Sequence, residues 1–297
     1  MTGFRLHDMA IRLKFNLVLT AVFLVGLTIA GWSSYQLLHR NARAETLRNA
    51  RLLMDTAMAI RGYTVNQVAP HLDPHAQAFL PQRVPAFAAT QTLGELRKKY
   101  PDYAYKEATL NPTNPTNRTA DWEADVVTNF RNSDSSNEII GERETSAGRS
   151  LFIAHPIRIT NAACLECHST PAAAPKAMLA AYGPSNGFGW KMNEIIGAQV
   201  VSVPTAVPVQ NANRAFFTFM ASLVAIFALV FVALNLMLGF IIVGPIQRIA
   251  ATADAVSTGD SSVPEVTVKG KDEIAGLAAS LNRMRRSLQE AMRMLGD

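Results

Sequence analysis

Cys164-Leu165-Glu166-Cys167-His168 sets two thiols three residues apart and a histidine directly after the second. They are the only two cysteines in 297 residues, so no other cysteine competes for either as a disulfide partner. A four-ligand zinc site would have to draw on histidines such as His71, His75 or His155, which stand at no zinc-ligand spacing. Covalent haem uses all three groups. The two sulfurs form thioethers with the porphyrin vinyls, and the adjacent imidazole lies under the iron. Cys164 and Cys167 are therefore the candidate attachment residues of a single haem c, and His168 is the candidate proximal iron ligand.

Two apolar stretches bracket this motif. Residues 15–32 (FNLVLTAVFLVGLTIAGW) are interrupted only by Asn16 and two threonines, and residues 215–243 (AFFTFMASLVAIFALVFVALNLMLGFIIV) carry no charge. At about 1.5 Å per residue each can cross a hydrocarbon core of roughly 30 Å. A cleaved signal peptide is the plainer reading of the first. That run is long for a signal h-region, however, and Trp32-Ser33-Ser34-Tyr35 makes a poor cleavage site. The expected organisation is a cytoplasmic N-terminus (1–14), a first span (15–35), a domain (36–214), a second span (215–243) and a cytoplasmic segment (244–297).

Charge alone orients this chain weakly. Arg5, Arg12 and Lys14 before the first span and Arg248 after the second favour cytoplasmic termini, but Arg40, Arg43, Arg48 and Arg51 follow the first span. Haem attachment of the c type takes place outside the cytoplasmic membrane. The motif thus predicts a bacterial inner-membrane protein with residues 36–214 in the periplasm.

That domain is long enough to bury a core. Gln36 to Val68 contains no proline, and Leu47, Leu52, Met54, Met58 and Val65 recur at helical spacing, so the first span is expected to continue into the domain as one helix. Pro70, Pro74, Pro81 and Pro85 predict turns, residues 92–99 a short helix, and Asn111-Pro112-Thr113-Asn114-Pro115-Thr116-Asn117 a loop. Strands are expected near Ile139–Arg143, Ser150–Ile157 and Ile195–Val203, with the motif between the last two. Helices followed by strands predict an α+β domain.

Beyond Gly244-Pro245 the chain is polar and periodic. Ile246, Ile249, Ala253 and Val256 form one short apolar stripe; Ile274, Leu277, Leu281, Met284, Leu288, Ala291 and Leu295 form another. Val263, Val266 and Val268 lie in the connector between them. Two stripes of this kind call for a parallel four-helix bundle completed by a second chain. With its proline at the membrane exit and Asp272-Glu273-Ile274-Ala275-Gly276 opening the second helix, the segment resembles a HAMP domain, which implies a homodimer. An amphipathic pair lying on the membrane is the simpler alternative, with Arg283, Arg285, Arg286 and Arg293 available to anionic lipid.

The domain between the spans resembles the Tll0287-like haem-binding sensory domains. The resemblance is carried by residues 106–115 (KEATLNPTNP), Asp121-Trp122-Glu123, residues 148–157 (GRSLFIAHPI), Cys164–His168 and Gly197–Pro204. It implies a PAS-like fold, a c-type haem held by Cys164, Cys167 and His168, and a signalling output. Some relatives supply a cysteine from an N-terminal helix as the sixth ligand, and this chain has no third cysteine. Met58 or Met54, four apart on one helical face, are the first candidates for that position, followed by His71, His75 and His155. Arg143, Arg149 and Arg158 could meet haem propionates, although surface charge explains them equally.

The order span, haem domain, span, HAMP predicts a transmembrane redox or gas sensor rather than an enzyme. No output module follows the HAMP-like helices in this sequence, so the expected output is a separate cytoplasmic partner. A membrane-anchored c-type cytochrome passing electrons between periplasmic carriers is the alternative. The net charge of +5 is accounted for by membrane flanks and the terminal arginines, so nucleic-acid binding is not expected.

Overall fold

The computed structural model describes residues 10–73, 78–133, 136–146, 148–260 and 262–296, without the side chains of the last two. Arg5, Pro74, His75 and the side chain of Leu295 lie outside this description.

Helix α1 (Ile11–Tyr63) runs unbroken for 53 residues. Its first half presents Val18, Val22, Val25 and Ile29 outward, as a helix that meets lipid would. Its second half buries Ala42, Thr46, Ala50, Leu53, Met54 and Ala57, a stripe at spacings of three and four. The continuous helix expected from the proline-free segment is what forms. It passes into a π turn (Thr64–Val68) and a 3-10 turn (Ala69–His71), where Pro70 supplies no N–H to prolong it.

Residues 35–215 form one compact unit, and the flanking residues on both sides form another. The first is built on an antiparallel sheet of β1 (Ala104–Thr109), β2 (Ile139–Thr145), β3 (Gly148–Arg158) and β4 (Ile195–Pro204), in the order β1-β4-β3-β2. Alternation along the strands divides the core in two. Leu151, Ile153, Val201 and Val203 pack under Leu53, Met54 and Ala57 of α1 and Leu93 of α2 (Pro85–Lys99). Ala154, Ala198, Val200 and Ala108 face Val126, Val127 and Phe130 of α3 (Asp121–Asn132). The mixed helix and antiparallel-sheet architecture agrees with the α+β expectation.

One local expectation is corrected, and two elements were not expected. Pro85 does not break the chain but opens α2, since proline's missing N–H costs nothing in a first helical turn. β1 was not expected as a strand; its Ala-Tyr-Lys-Glu-Ala-Thr sequence lacks the apolar alternation of its neighbours. Helix α3 was also missed, although Trp122, Val126 and Phe130 stand four apart. Glu123 of that helix reaches back to the Ala120 N–H at 2.7 Å and pairs with Lys106 of β1.

In the second unit, α6 (Ala206–Met237) leads through a π turn (Leu238–Val243) into α7 (Gly244–Ser257). Pro245 cannot donate to a carbonyl one turn back, and the wider turn before it accommodates that gap. α8 (Glu273–Gly296) follows the connector. Ile249 and Ala253 of α7 pack with Ile274, Ala278 and Leu281 of α8 and with Val266 and Val268. Asn282, 9% exposed, accepts from the Val266 N–H and donates to its carbonyl, which pins the connector to α8. Phe23 and Phe227 stack at 4.5 Å in the apolar part of this unit. The two long helices are long and apolar enough to cross a membrane.

Candidate functional site

The Cys164–His168 motif lies in the excursion between β3 and β4, on a short helix, α4 (Ala163–His168), which a second short helix, α5 (Lys176–Tyr182), follows. The neck of this excursion is closed by backbone pairing of Ile159 with Asn193 and Glu194. Asn161 starts α4 by accepting from the Ala163 N–H at 2.9 Å. Helical spacing of three and four then brings Cys164, Cys167 and His168 onto one face. Neither thiol is in a disulfide. Burial pushes both thiols up from their ordinary range; the Arg61 charge opposes this at Cys164, and the Arg83 charge opposes it at Cys167.

The His168 ring is held on three sides. Its Nδ1 lies 2.7 Å from the Gly187 carbonyl, which can only accept, so that nitrogen carries the proton. Thr113 Oγ1 is 3.4 Å from the same nitrogen, and Trp190 stacks on the ring at 3.8 Å. Trp190 is fixed in turn by its N–H to the His168 carbonyl. The consequence is chemical: Nε2 keeps its lone pair, the tautomer a metal-ligating histidine adopts when its other nitrogen donates to a carbonyl. Burial also lowers the proton affinity of the ring, which keeps it neutral.

Gly187 makes this geometry possible. Its φ is +82°, and a Cβ there would overlap Thr113. Only glycine lets the backbone carbonyl approach His168 in this way. Two unpaired thiols on one helical face and an oriented imidazole with a free Nε2 fit a haem held by two thioethers and one nitrogen ligand. Among the described residues no group of three or more His, Cys, Asp or Glu is arranged to hold a metal ion by itself.

A polar group on the inner face of the sheet stands beside the motif. Glu107 of β1, 3% exposed, accepts from the Arg61 guanidinium of α1 and from the Tyr105 hydroxyl at 2.8 Å. Arg61 carries its charge within electrostatic reach of Cys164. Burial and the neighbouring Glu107 charge push the Tyr105 phenol far above its ordinary value, so it stays protonated and donates.

The remaining candidates fall in different places. Met54 is 1% exposed in the core, among Leu53, Leu151 and Val201, whereas Met58 is 44% exposed. His71 lies in the 3-10 turn after α1. His155 is on β3, 3.3 Å from Glu138, which also receives Arg51 at 2.9 Å. Arg143 covers the Trp122 ring, Arg149 pairs with Glu144, and Arg158 donates to the Asn193 carbonyl.

Thr113, Gly187 and Trp190 were not singled out by sequence reasoning, nor were Arg61, Tyr105 and Glu107. Each set is assembled from segments far apart in the chain. The one local signal was a glutamate at the inward phase of β1, visible only once that segment is known to be a strand.

The comparisons agree with the motif-based resemblance. No curated protein matches the chain. Among solved structures, that of the cyanobacterial haem protein Tll0287 is similar at 15% identity and a TM-score of 0.42, over 54% of this chain and 95% of that one. A HAMP domain model matches residues 237–290. The Tll0287-like family model matches residues 39–204, more than half the sequence and the whole of the sheet with its Cys164–His168 excursion. The chain therefore belongs to the Tll0287-like family, and it carries a HAMP domain after that domain.

Proposed function

We propose that this chain is a two-span bacterial receptor of the inner membrane, with a PAS-like periplasmic domain that holds one haem c and cytoplasmic termini. Cys164 and Cys167 are the thioether residues, and His168 Nε2 is the proximal ligand. The observation that carries this reading is the His168 tautomer, with its proton committed to Gly187 and its other nitrogen free. The named relative is a haem protein, and the Cys-x-x-Cys-His pattern supports covalent attachment here. A bound haem would supply an iron that changes oxidation state with redox partners or takes up a diatomic gas.

For the distal position, Met58 is preferred over Met54. Met54 is committed to the core, whereas Met58 is accessible and stands one helical turn before Arg61, the residue near Cys164. A ligand on α1 ties the iron to the helix that continues into the first span. A shift of α1 would then bias the HAMP bundle between discrete packings, by no more than the ligand's difference in affinity for the two arrangements. Homodimerisation through α7 and α8 and a cytoplasmic signalling output complete the reading. The HAMP match favours a receptor over a simple anchored electron carrier.

The test uses the full chain made in cells competent for cytochrome c maturation. Haem staining under denaturing conditions should be present in the wild type and absent in Cys164→Ser with Cys167→Ser; persistence of the stain in that variant would refute covalent attachment. Met58→Ala should change the optical spectrum in at least one oxidation state, and an unchanged spectrum in both removes Met58 from the iron.

A further inference from the structure

A single polar row crosses the hydrophobic face of the sheet beneath α1. Glu107 of β1 is paired in register with Gln199 of β4, and Gln199 with His155 of β3. Beyond β3, Glu138 meets His155 at the second edge. The two ends of this row are carboxylates, and each is gripped by an arginine of the same helix: Arg51 on Glu138 and Arg61 on Glu107. The spacing explains the match. Ten residues of helix at about 1.5 Å each cover about 15 Å. Three strand separations of about 4.8 Å cover nearly the same distance.

The two clasps differ in environment. Arg51 and Glu138 are part exposed, whereas Glu107 is buried, receives a second donor from Tyr105, lies on the strand that runs on to Thr113 at His168, and holds Arg61, whose charge reaches Cys164. Only the second clasp brings fixed charges to the attachment helix, in surroundings where screening by water is weak. A buried carboxylate with two donors cannot relocate cheaply. Its partner Arg61 is thus held at a defined place within electrostatic reach of Cys164.

We propose that Arg61, Glu107 and Tyr105 are positioning residues of the haem site, setting the charge that the haem experiences and holding α1 to it. The proposal rests on the haem reading above. The iron centre within its dianionic porphyrin is neutral when ferrous and carries one positive charge when ferric. Arg61 therefore disfavours the ferric state, and Glu107 favours it. By linkage, oxidation weakens the hold of Arg61 at this position and reduction strengthens it, which places a redox-dependent bias on the helix that bears the first span.

The experiment is an optical redox titration of the full chain in detergent, with ferricyanide accepting one electron per iron and dithionite returning it. Haem staining of each variant first establishes that the cofactor is attached. Absence of haem in the wild type would defeat the haem reading itself; attached haem with unaltered potentials would defeat only this proposal. The expected result is opposite shifts: a lower midpoint for Arg61→Gln, a higher one for Glu107→Gln, and a wild-type midpoint for Arg61→Lys. Arg51→Gln, which loosens α1 at the far clasp, should leave the midpoint in place. If Glu107→Gln does not fold, Tyr105→Phe replaces it. Loss of that hydroxyl leaves the Glu107 charge less neutralised, so its midpoint should fall. Shifts of the same sign for Arg61→Gln and Glu107→Gln, no shift, or an equal shift for Arg51→Gln would overturn the assignment.

Discussion

Gly187 shows how far the setting of one histidine can rest on a missing Cβ. Its carbonyl selects the His168 tautomer, and its positive φ and lack of a Cβ allow the approach past Thr113. Alanine there meets a left-handed cost of roughly 1–2 kcal/mol and the overlap with Thr113 in addition. Gly187→Ala should therefore lower stability by about 2 kcal/mol, read as an earlier urea midpoint, and, with His168 as the proposed haem ligand, alter the optical spectrum. An unchanged midpoint and spectrum would mean that the carbonyl does not orient His168. The three candidate motif residues were visible in the sequence because they lie within five positions, on one short helix. Their supports were not. Thr113, Gly187 and Trp190 reach His168 only through the folded loops, and a glycine or tryptophan in a loop carries no signature of that role.

At the scale of elements, the Arg51–Glu138 clasp gives α1 a dependence on acidity. The Glu138 carboxyl is held below its ordinary 4.5 chiefly by hydrogen bonding to Arg51, with His155 as a second donor. A carboxylate with a depressed folded value adds stability above that ordinary value and loses it as pH falls through the folded one. The stability gap between wild type and Glu138→Gln should thus be present at pH 6 and close below about pH 4.5. Denaturant unfolding at stepped pH measures it, and a gap constant down to pH 3 would contradict the clasp. This partly exposed pair is a modest contributor.

The same scale explains the uneven legibility of the fold. β2, β3 and β4 were readable because Ile, Leu, Phe and Val alternate or run together. β1 was hidden because its inward positions are Tyr105 and Glu107, polar groups whose burial is compensated by Arg61 from 46 residues earlier. A strand stabilised by charge pairing rather than by apolar area leaves no hydrophobic period to find. Helix α3 is a different case: its Trp122, Val126 and Phe130 stripe was available and overlooked beside the polar residues between them.

Over the whole molecule, the apolar stripe of α8 divides. Ile274 and Leu281 pack within their own chain, while Leu277 (51%), Met284 (54%) and Leu288 face outward on the same helix. Outward apolar positions at heptad-like spacing are those a second HAMP pair would cover. A cysteine at position 284, introduced as Met284→Cys, should crosslink two copies in the membrane with mild oxidant, whereas Leu281→Cys should do so weakly. Equal and negligible crosslinking at both would argue against a parallel pairing through α8.

The sheet adds a constraint on how copies can meet. The order β1-β4-β3-β2 leaves both outer strands with open edges. Open edges are templates for unwanted sheet extension, and alternating charges discourage it. β2 carries Glu142-Arg143-Glu144, and β1 carries Lys106, with Arg118 bridged against its end. Edge-to-edge addition of another copy would strip the Glu142, Arg143 and Glu144 charges of water. Charges at these edges thus disfavour fibril-like stacking of copies through the sheet.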